Sequence, residues 1–379
     1  MSQPKVIIIG GGVSGLAVAE ALLQKGIRAT LFEKGTFARE ASWAGGGFLD
    51  LRSASRVDGT FFEFCKRSYD LFPSWCERLH QESGIDPEYI RSGSLDLVLN
   101  PEEEQAIRQM ERSIGTYGVG GEWVTPARAL ELEPGLNPHI KSAFYVEGTS
   151  QIRPPRLGRA LVEALRKGGI ELRENEPVEE FVLKGDRVQG VRTANGVTES
   201  DEVVLSAGPW SGALAGQLGL SLSTKPIRGQ VVLFQISPGQ VRRVLFNGLA
   251  RNFLYLVPRR DGRVFAGSTL EDAGFEKTIT PEGLVKLGSS PVRMAPGLSP
   301  DRIETSWAGL RTGSVDGWPY LGPVPNRPGL WLATGHYTHG LLQSAITGHL
   351  MAQVLTGEKP EMDMEAFSPG REPHAQAGI

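Results

Sequence analysis

The sequence predicts an α/β fold in which a Rossmann-type nucleotide-binding part is joined to a second part built on a mixed or antiparallel sheet. Its amino terminus, KVIIIGGGVSGLAVAEALLQKGIRATLFEK, reads as strand, glycine turn, helix and a second strand ending on an acid. From Ile227 the pattern changes to alternating strands, in IRGQVVLFQI, NFLYLVP and RVFAGSTL. A chain of 379 residues also exceeds one ordinary hydrophobic core, which points to two lobes.

In the first stretch, Val6 to Ile9 is a buried parallel strand, Gly10-x-Gly12-x-x-Gly15 the turn, and Val13 to Lys25 a helix. Gly10 permits the tight turn, Gly12 admits a pyrophosphate against bare backbone, and Gly15 lets the helix sit close on the strand. The helix N-terminus offers unpaired N–H groups and a positive dipole end to phosphate. Ala19 keeps the helix slim and Gly26 ends it. The strand Ala29 to Phe32 then delivers Glu33 where a ribose hydroxyl pair needs an acceptor. An apolar leader or membrane anchor is excluded by Glu20, by five glycine or serine interruptions between Val6 and Leu23, and by the missing small-residue cleavage site.

Composition narrows the partners. The chain is 40% hydrophobic and 22% charged with a net charge of −3, and no Lys/Arg run forms a nucleic-acid or membrane patch. The densest basic stretch, RRDGR at 259–263, is better read as a hairpin turn around its Asp-Gly centre. The only two cysteines, Cys65 and Cys76, share one helix face about 16 Å apart and cannot bridge each other. A reducing cytoplasm is the expected location, with no transmembrane segment, no nucleic-acid partner and no metal site; a homo-oligomer is compatible with the sequence.

After Glu33, ASWAGGGFLD (residues 41–50) is expected to be too flexible for a helix and to lie flat against a planar ligand or a phosphate. A mobile loop is the alternative, against which Trp43 and Phe48 argue for packing. Phe61, Phe62, Cys65, Phe72, Cys76 and Leu79 recur at helical spacing and read as core. Ser94 to Leu99 alternates as a strand, PEEEQAIRQMERS opens a helix, and Pro-rich residues 123–138 are expected to cross the surface. A helix follows from Pro155 to Lys167. Strands are expected at Ile170–Arg173, Val178–Leu183 and Val188–Thr193, with KGD as the turn of the last pair. Glu202 to Ser206 runs into AGPWSGAL, which is either a plain strand-to-helix turn or a ligand contact. In the later sheet Phe253, Tyr255 and Val257 share one face, and Leu254 and Leu256 the other. WAGLRTGSVDGWPYLG (307–322), a strand at Leu330–Ala333, the turn TGHYTHG and a helix from about Leu341 to Leu355 close the fold, and the tail after Gly357 reads as frayed.

Taken together, GGGVSG with Glu33, ASWAGGGFL, PVEEF, LSAGPWSG, YLVPRRDGRVFAGST, WAGLRTGSVDGWPYLG and TGHYTHGLL resemble the D-amino acid oxidase family of FAD-dependent oxidoreductases, most closely glycine oxidases of the thiamine-biosynthesis type. The resemblance spans almost the whole chain. It implies a glutathione-reductase-like FAD-binding domain assembled from residues 1–84, 146–222 and 304–370, a substrate-binding domain from 85–145 and 223–303, and a flexible tail at 371–379. It also implies noncovalent FAD, held by Gly10, Gly12, Val13, Ser14, Gly15, Glu33, Lys34, Ala41, Ser42, Gly46, Gly47, Phe48 and Val178. The loop His336, Tyr337, Thr338, His339, Gly340, Leu341 and Leu342 would complete the flavin site. No second GxGxxG follows a strand, so a nicotinamide site beside the flavin is not expected.

For the chemistry, Arg311 in WAGLRTG aligns with the family's carboxylate-binding arginine, whose planar fork matches a carboxylate bidentately. Tyr255 matches an active-site tyrosine that donates to the same carboxylate or closes the pocket, and Phe253, Leu270 and Thr338 fall in the substrate pocket. The last helix is expected to point its N-terminus at the flavin's pyrimidine end, while His336 and His339 pack or hydrogen-bond, because hydride transfer from a neutral amine needs no protein base. Two departures matter. The second arginine that glycine oxidases commonly carry in this turn is Thr338 here, and Phe265 stands where sarcosine oxidases have an oxygen-activating lysine. The resemblance therefore implies oxidation of glycine, sarcosine or a small D-amino acid to the imine and then a 2-oxo acid, with dioxygen reduced to hydrogen peroxide. A dehydrogenase of the same fold using a quinone or other acceptor, and a tRNA-modifying flavoprotein, are the alternatives; the missing basic stripe speaks against the second.

Overall fold

The computed structural model describes residues 4–247 and 254–374, so Phe253 lies outside the described residues. Two large sheets organise these residues. In the six-stranded sheet the spatial order is Tyr320–Pro323, Leu330–Thr334, Glu202–Leu205, Val6–Ile9, Ala29–Phe32 and Glu171–Arg173. All pairs are parallel except the first. Parallel strands covered on both faces read as unbroken apolar runs, and VIII is one. Val6 and Ile8 join the core formed by the helices Val13–Gln24, Gly59–Ser83, Pro154–Lys167 and Gly340–Leu355. Ile7 and Ile9 face the opposite core with Val188 and Val191 of a three-stranded sheet.

The eight-stranded sheet runs Ile303–Ser314, Thr224–Gln235, Arg263–Gly267, Tyr255–Pro258, Val244–Phe246, Ser94–Val98, Ser142–Val146 and Glu122–Val124. Its pairs are antiparallel apart from Val244–Phe246 against Ser94–Val98. The expected alternation holds where it is described: Leu254 and Leu256 enter one core, whereas Tyr255 and Val257 pack with Phe246 and Phe265 on the other face. Cys65 and Cys76 are buried free thiols on the helix Gly59–Ser83.

Four stretches differ from the sequence expectation or add to it. Ala41–Ala44 forms one helical turn ahead of the three glycines, closed by the Trp43 and Ala44 N–H groups on the Glu40 carbonyl. Residues 123–138 do keep mostly to the surface, but they include an element the sequence reading did not name, a short helix, Pro126–Leu132, capped by Thr125 with a proline at its first position. Ile303–Ser314, which the sequence reading did not name as a strand, pairs with Thr224–Gln235 as the edge of the eight-stranded sheet; Gly309 and Gly313 hide its two-residue period. The tail is held rather than frayed through His374: Phe367 is buried, the Arg371 guanidinium binds both oxygens of buried Asp316 at 3.0 and 2.9 Å, and the His374 ring stacks on Trp318 at 4.0 Å.

The turn before the last helix buries two histidines. His336 Nε2 bonds Thr347 Oγ1 at 3.0 Å and His339 Nε2 bonds Ser53 Oγ at 2.8 Å. Burial pushes the His336 imidazole down to about 3 and that of His339 to about 4. Below the ordinary imidazole pKa of about 6.5 the unfolded chain takes up protons that the folded chain refuses, so each histidine lowers stability by about 1.4 kcal/mol per pH unit as pH falls. For His339 this continues to about pH 4 and for His336 to about pH 3.

Two outcomes follow from these contacts. His336→Gln should shallow the fall in stability between about pH 6 and 4 relative to wild type, read from urea unfolding at several pH values, and an unchanged slope would contradict a neutral buried imidazole. Arg371→Ala leaves Asp316 buried without its cation and should cost about 3 kcal/mol or more in the same assay, whereas a loss below about 1 kcal/mol would mean that the tail contributes no anchoring.

Candidate active site

A cavity of about 910 Å³ opens between the two sheets. Its floor at one end is the glycine turn. Gly10 has φ of 107°, and a Cβ there would meet the Ser206 carbonyl oxygen at 2.4 Å; a Cβ on Gly15 would meet the Gly10 carbonyl oxygen at 2.1 Å. Strand and helix therefore require both glycines for their own packing. Gly12 is different: a Cβ there would meet only Ser42 Oγ at 3.4 Å. The space it leaves belongs to the cavity, as a group lying against the backbone would need. Gly12 caps the helix Val13–Gln24 without a side-chain bond, so the first-turn N–H groups of Val13 and Ser14 border the cavity, that of Val13 bonded to Ser42 Oγ at 2.8 Å.

Beside the turn, the Glu33 carboxylate is fixed by two backbone donors, Gly11 N at 2.8 Å and Gly35 N at 2.9 Å, each leaving lone pairs for a ligand hydroxyl. The Lys34 ammonium lies 3.1 Å from the centre of the Trp210 ring, and desolvation there lowers its pKa. Ala207, Gly208, Pro209, Trp210, Ala213 and Leu214 of AGPWSGAL also border the cavity. Val178, Ala41, Ser42, Gly46, Gly47 and Phe48 line the middle, and His336 to Leu342 line the far wall, where the N-terminus of the helix Gly340–Leu355 enters. Of the described residues expected at the site, only Gly15 does not reach the cavity, because it is the contact between helix and strand.

The eight-stranded sheet supplies the remaining wall with Phe246, Tyr255 and Arg311, joined by Leu270 from the segment after the strand Arg263–Gly267. The Arg311 guanidinium is held only by neutral acceptors, Nη2 on Ser268 Oγ at 2.6 Å and Nη1 on the Thr269 carbonyl at 3.2 Å, and no carboxylate pairs with it among the described residues. Five N–H donors on a guanidinium, two of them spent on these acceptors, leave others able to meet an anion. The Tyr255 hydroxyl reaches the same Ser268 Oγ at 3.5 Å, and its ring packs edge-on to Phe48 at 4.7 Å. Leu270 is 55% exposed at the rim, and Thr338 Oγ1 bonds His339 Nδ1 at 3.3 Å. Phe265 stays behind this wall, stacked on Tyr255 at 5.9 Å.

The sequence reading missed two arginines. Arg52 borders the cavity, lies 3.5 Å from the centre of the Phe246 ring, and pairs with Asp50 at 3.0 Å and Asp96 at 2.5 Å. Burial pushes the Asp96 carboxyl up to about 6, against the pull of Arg52. An aspartate inside the apolar strand SLDLV was the available signal. Arg259, taken as a turn residue, is drawn down to about 10 by burial and donates to the carbonyls of Gly46 at 2.6 Å and Ile152 at 2.9 Å, fixing the glycine segment. Among the described residues no group of three or more His, Cys, Asp or Glu could hold a metal ion, and no helix is long and apolar enough to cross a membrane.

A bare glycine turn, a fixed acid one strand away, a glycine segment and a helix N-terminus along one cavity match a dinucleotide with a planar ring at its far end. Comparison with known proteins agrees. Glycine oxidases of Pseudomonas aeruginosa and Pseudomonas putida are each 38% identical to this chain, over 368 and 369 residues, covering 96% of it and 98% of each relative. The crystal structure of glycine oxidase from Geobacillus kaustophilus superposes with a TM-score of 0.90 at 30% identity, covering 98% of this chain and 100% of that one. The profile described as FAD dependent oxidoreductase (DAO) matches residues 5–354, and the chain belongs to that family.

Proposed function

We propose that the protein is a glycine oxidase-like amino-acid oxidase, acting on glycine, sarcosine or a small D-amino acid. The substrate would leave as its imine, which water hydrolyses to a 2-oxo acid and ammonia or an amine. FAD, when bound, would supply the acceptor for the hydride of the substrate Cα and the route by which both electrons reach dioxygen as hydrogen peroxide. The observation that carries this reading is Arg311, a cation on the cavity wall that no carboxylate pairs with among the described residues.

In this reading the donors of Arg311 not spent on Ser268 and Thr269 grip the substrate carboxylate, and Tyr255 closes the same end, so that the Cα–H is aimed away from the sheet. Gly12, Val13, Ser14 and Glu33 would hold the diphosphate and ribose, and Lys34 with Trp210 the neighbouring part of the nucleotide. Gly46 to Phe48 and the His336 to Leu342 turn would flank the ring, with the last helix's positive end near its pyrimidine side. His336 and His339 are buried, neutral and engaged by Thr347 and Ser53, which suits packing and not proton abstraction. With Thr338 in the turn, Arg311 is the cation assigned to the substrate, and small zwitterions with one carboxylate suit it best. A cytoplasmic setting fits two cysteines left as buried thiols.

Peroxide release from the purified holoenzyme with glycine, sarcosine and a panel of D- and L-amino acids tests the reaction; dye reduction under nitrogen without peroxide in air would reject the oxidase. Arg311→Ala should keep its flavin and lose at least about 30-fold in kcat/KM through the lost charged hydrogen bonds, and normal turnover would remove the carboxylate clamp. Because neither histidine gains a proton above about pH 4, no limb of kcat/KM between pH 5 and 9 should come from a histidine. His339→Gln should leave the shape of that profile unchanged, and a limb lost in this variant would restore histidine as a base.

A further inference from the structure

We infer that Gly229 is a positioning residue: its bare backbone is the shelf against which the tip of the Arg311 guanidinium ends. The inference deepens the reading of Arg311 as the carboxylate clamp and rests on it. In the pairing of Thr224–Gln235 with Ile303–Ser314, Ile227 stands opposite Arg311 and Gly229 opposite Gly309. Gly229 is thus the diagonal neighbour of Arg311 on one sheet face. A Cβ on Gly229 would stand 2.3 Å from Nη1, 2.5 Å from Nη2 and 2.7 Å from Cζ of Arg311. These separations are far inside van der Waals contact, and all three atoms belong to the guanidinium.

The glycine is not needed for its backbone, since Gly229 is absent from the residues with left-handed φ. A glycine in mid-strand weakens a sheet unless something must approach the backbone closely. Here the approaching group is the charged end of Arg311. From the other side Ser268 Oγ at 2.6 Å and the Thr269 carbonyl at 3.2 Å bracket the same plane. Shelf and bracket together hold the end of a long, rotamer-rich side chain that borders the cavity. A methyl group on the shelf would collide with the guanidinium and displace it from this position.

The test uses the FAD-loaded enzyme with wild-type residues, Gly229→Ala, Arg311→Lys and the double variant. Glycolate, a carboxylate without the amine, is titrated against the flavin absorbance band, and KM and kcat are measured with the best amino-acid substrate. Gly229→Ala should retain bound flavin, weaken glycolate and raise KM by about tenfold or more, and change kcat less. In the Arg311→Lys background the same alanine should add less than about threefold, because a compact ammonium leaves the shelf, so that the two changes couple. Ser268→Ala, which adds no bulk, should move glycolate binding in the same direction by a smaller factor. Equal losses in both backgrounds, an unchanged glycolate affinity in Gly229→Ala, or a Gly229→Ala protein unable to hold flavin would each overturn the inference. Arg311→Ala binding glycolate as wild type does would instead remove the clamp itself.

Discussion

The cavity depends on a steric constraint a few ångströms across. The Gly10 carbonyl oxygen occupies the place where a Cβ on Gly15 would stand, and the Ser206 carbonyl presses on Gly10 from the next parallel strand. The helix Val13–Gln24 and the strands Val6–Ile9 and Glu202–Leu205 therefore meet with no side chain between them, and the helix's first turn of N–H groups is brought to the open end of the sheet. If that approach were looser, Glu33 could not reach the Gly11 N–H, and the fixed acid beside the turn would be lost. The second sheet then needs only to stand opposite this end to enclose a space.

Charge is handled in two ways around that space. Arg52 sits among carboxylates, with Asp50 and Asp96 both in contact, and is neutralised within the fold. Arg311 is given a hydroxyl and a carbonyl, which orient a cation but do not neutralise it. A buried ion pair saturates its partners, whereas a cation bracketed by dipoles retains attraction for an anion that arrives later. The contrast separates an arginine that builds the wall from one that can take part in binding, although both border the same cavity.

Much of this was legible in the residues. The strand VIII, the three glycines, the helix and Glu33 follow from local sterics and hydrogen bonding, and they stand where the sequence places them. The alternation of Leu254, Tyr255, Leu256 and Val257 assigned the faces correctly, because a period of two depends on the pleat alone. Other features had no local signal. The strand Ile303–Ser314 is interrupted by glycines that serve its partners, Gly309 against Ala44 and Gly313 against Ile227, so its periodicity is broken for reasons found on other segments. The tail past Gly357 is polar in sequence, yet Phe367 and Arg371 are buried because the surface that receives them, around Trp318 and Asp316, is built elsewhere.

By itself the sequence determined the nucleotide-binding turn and its acid, the order of helices and strands, and the family to which their likeness points, because each is set by neighbours within a few dozen residues. Only the tertiary structure decided which charges meet. That Arg311 ends against Gly229, that Arg52 lies between Asp50 and Asp96, and that Arg259 grips the Gly46 carbonyl depends on strand pairing across long stretches of chain, and a side chain's partners are not encoded beside it.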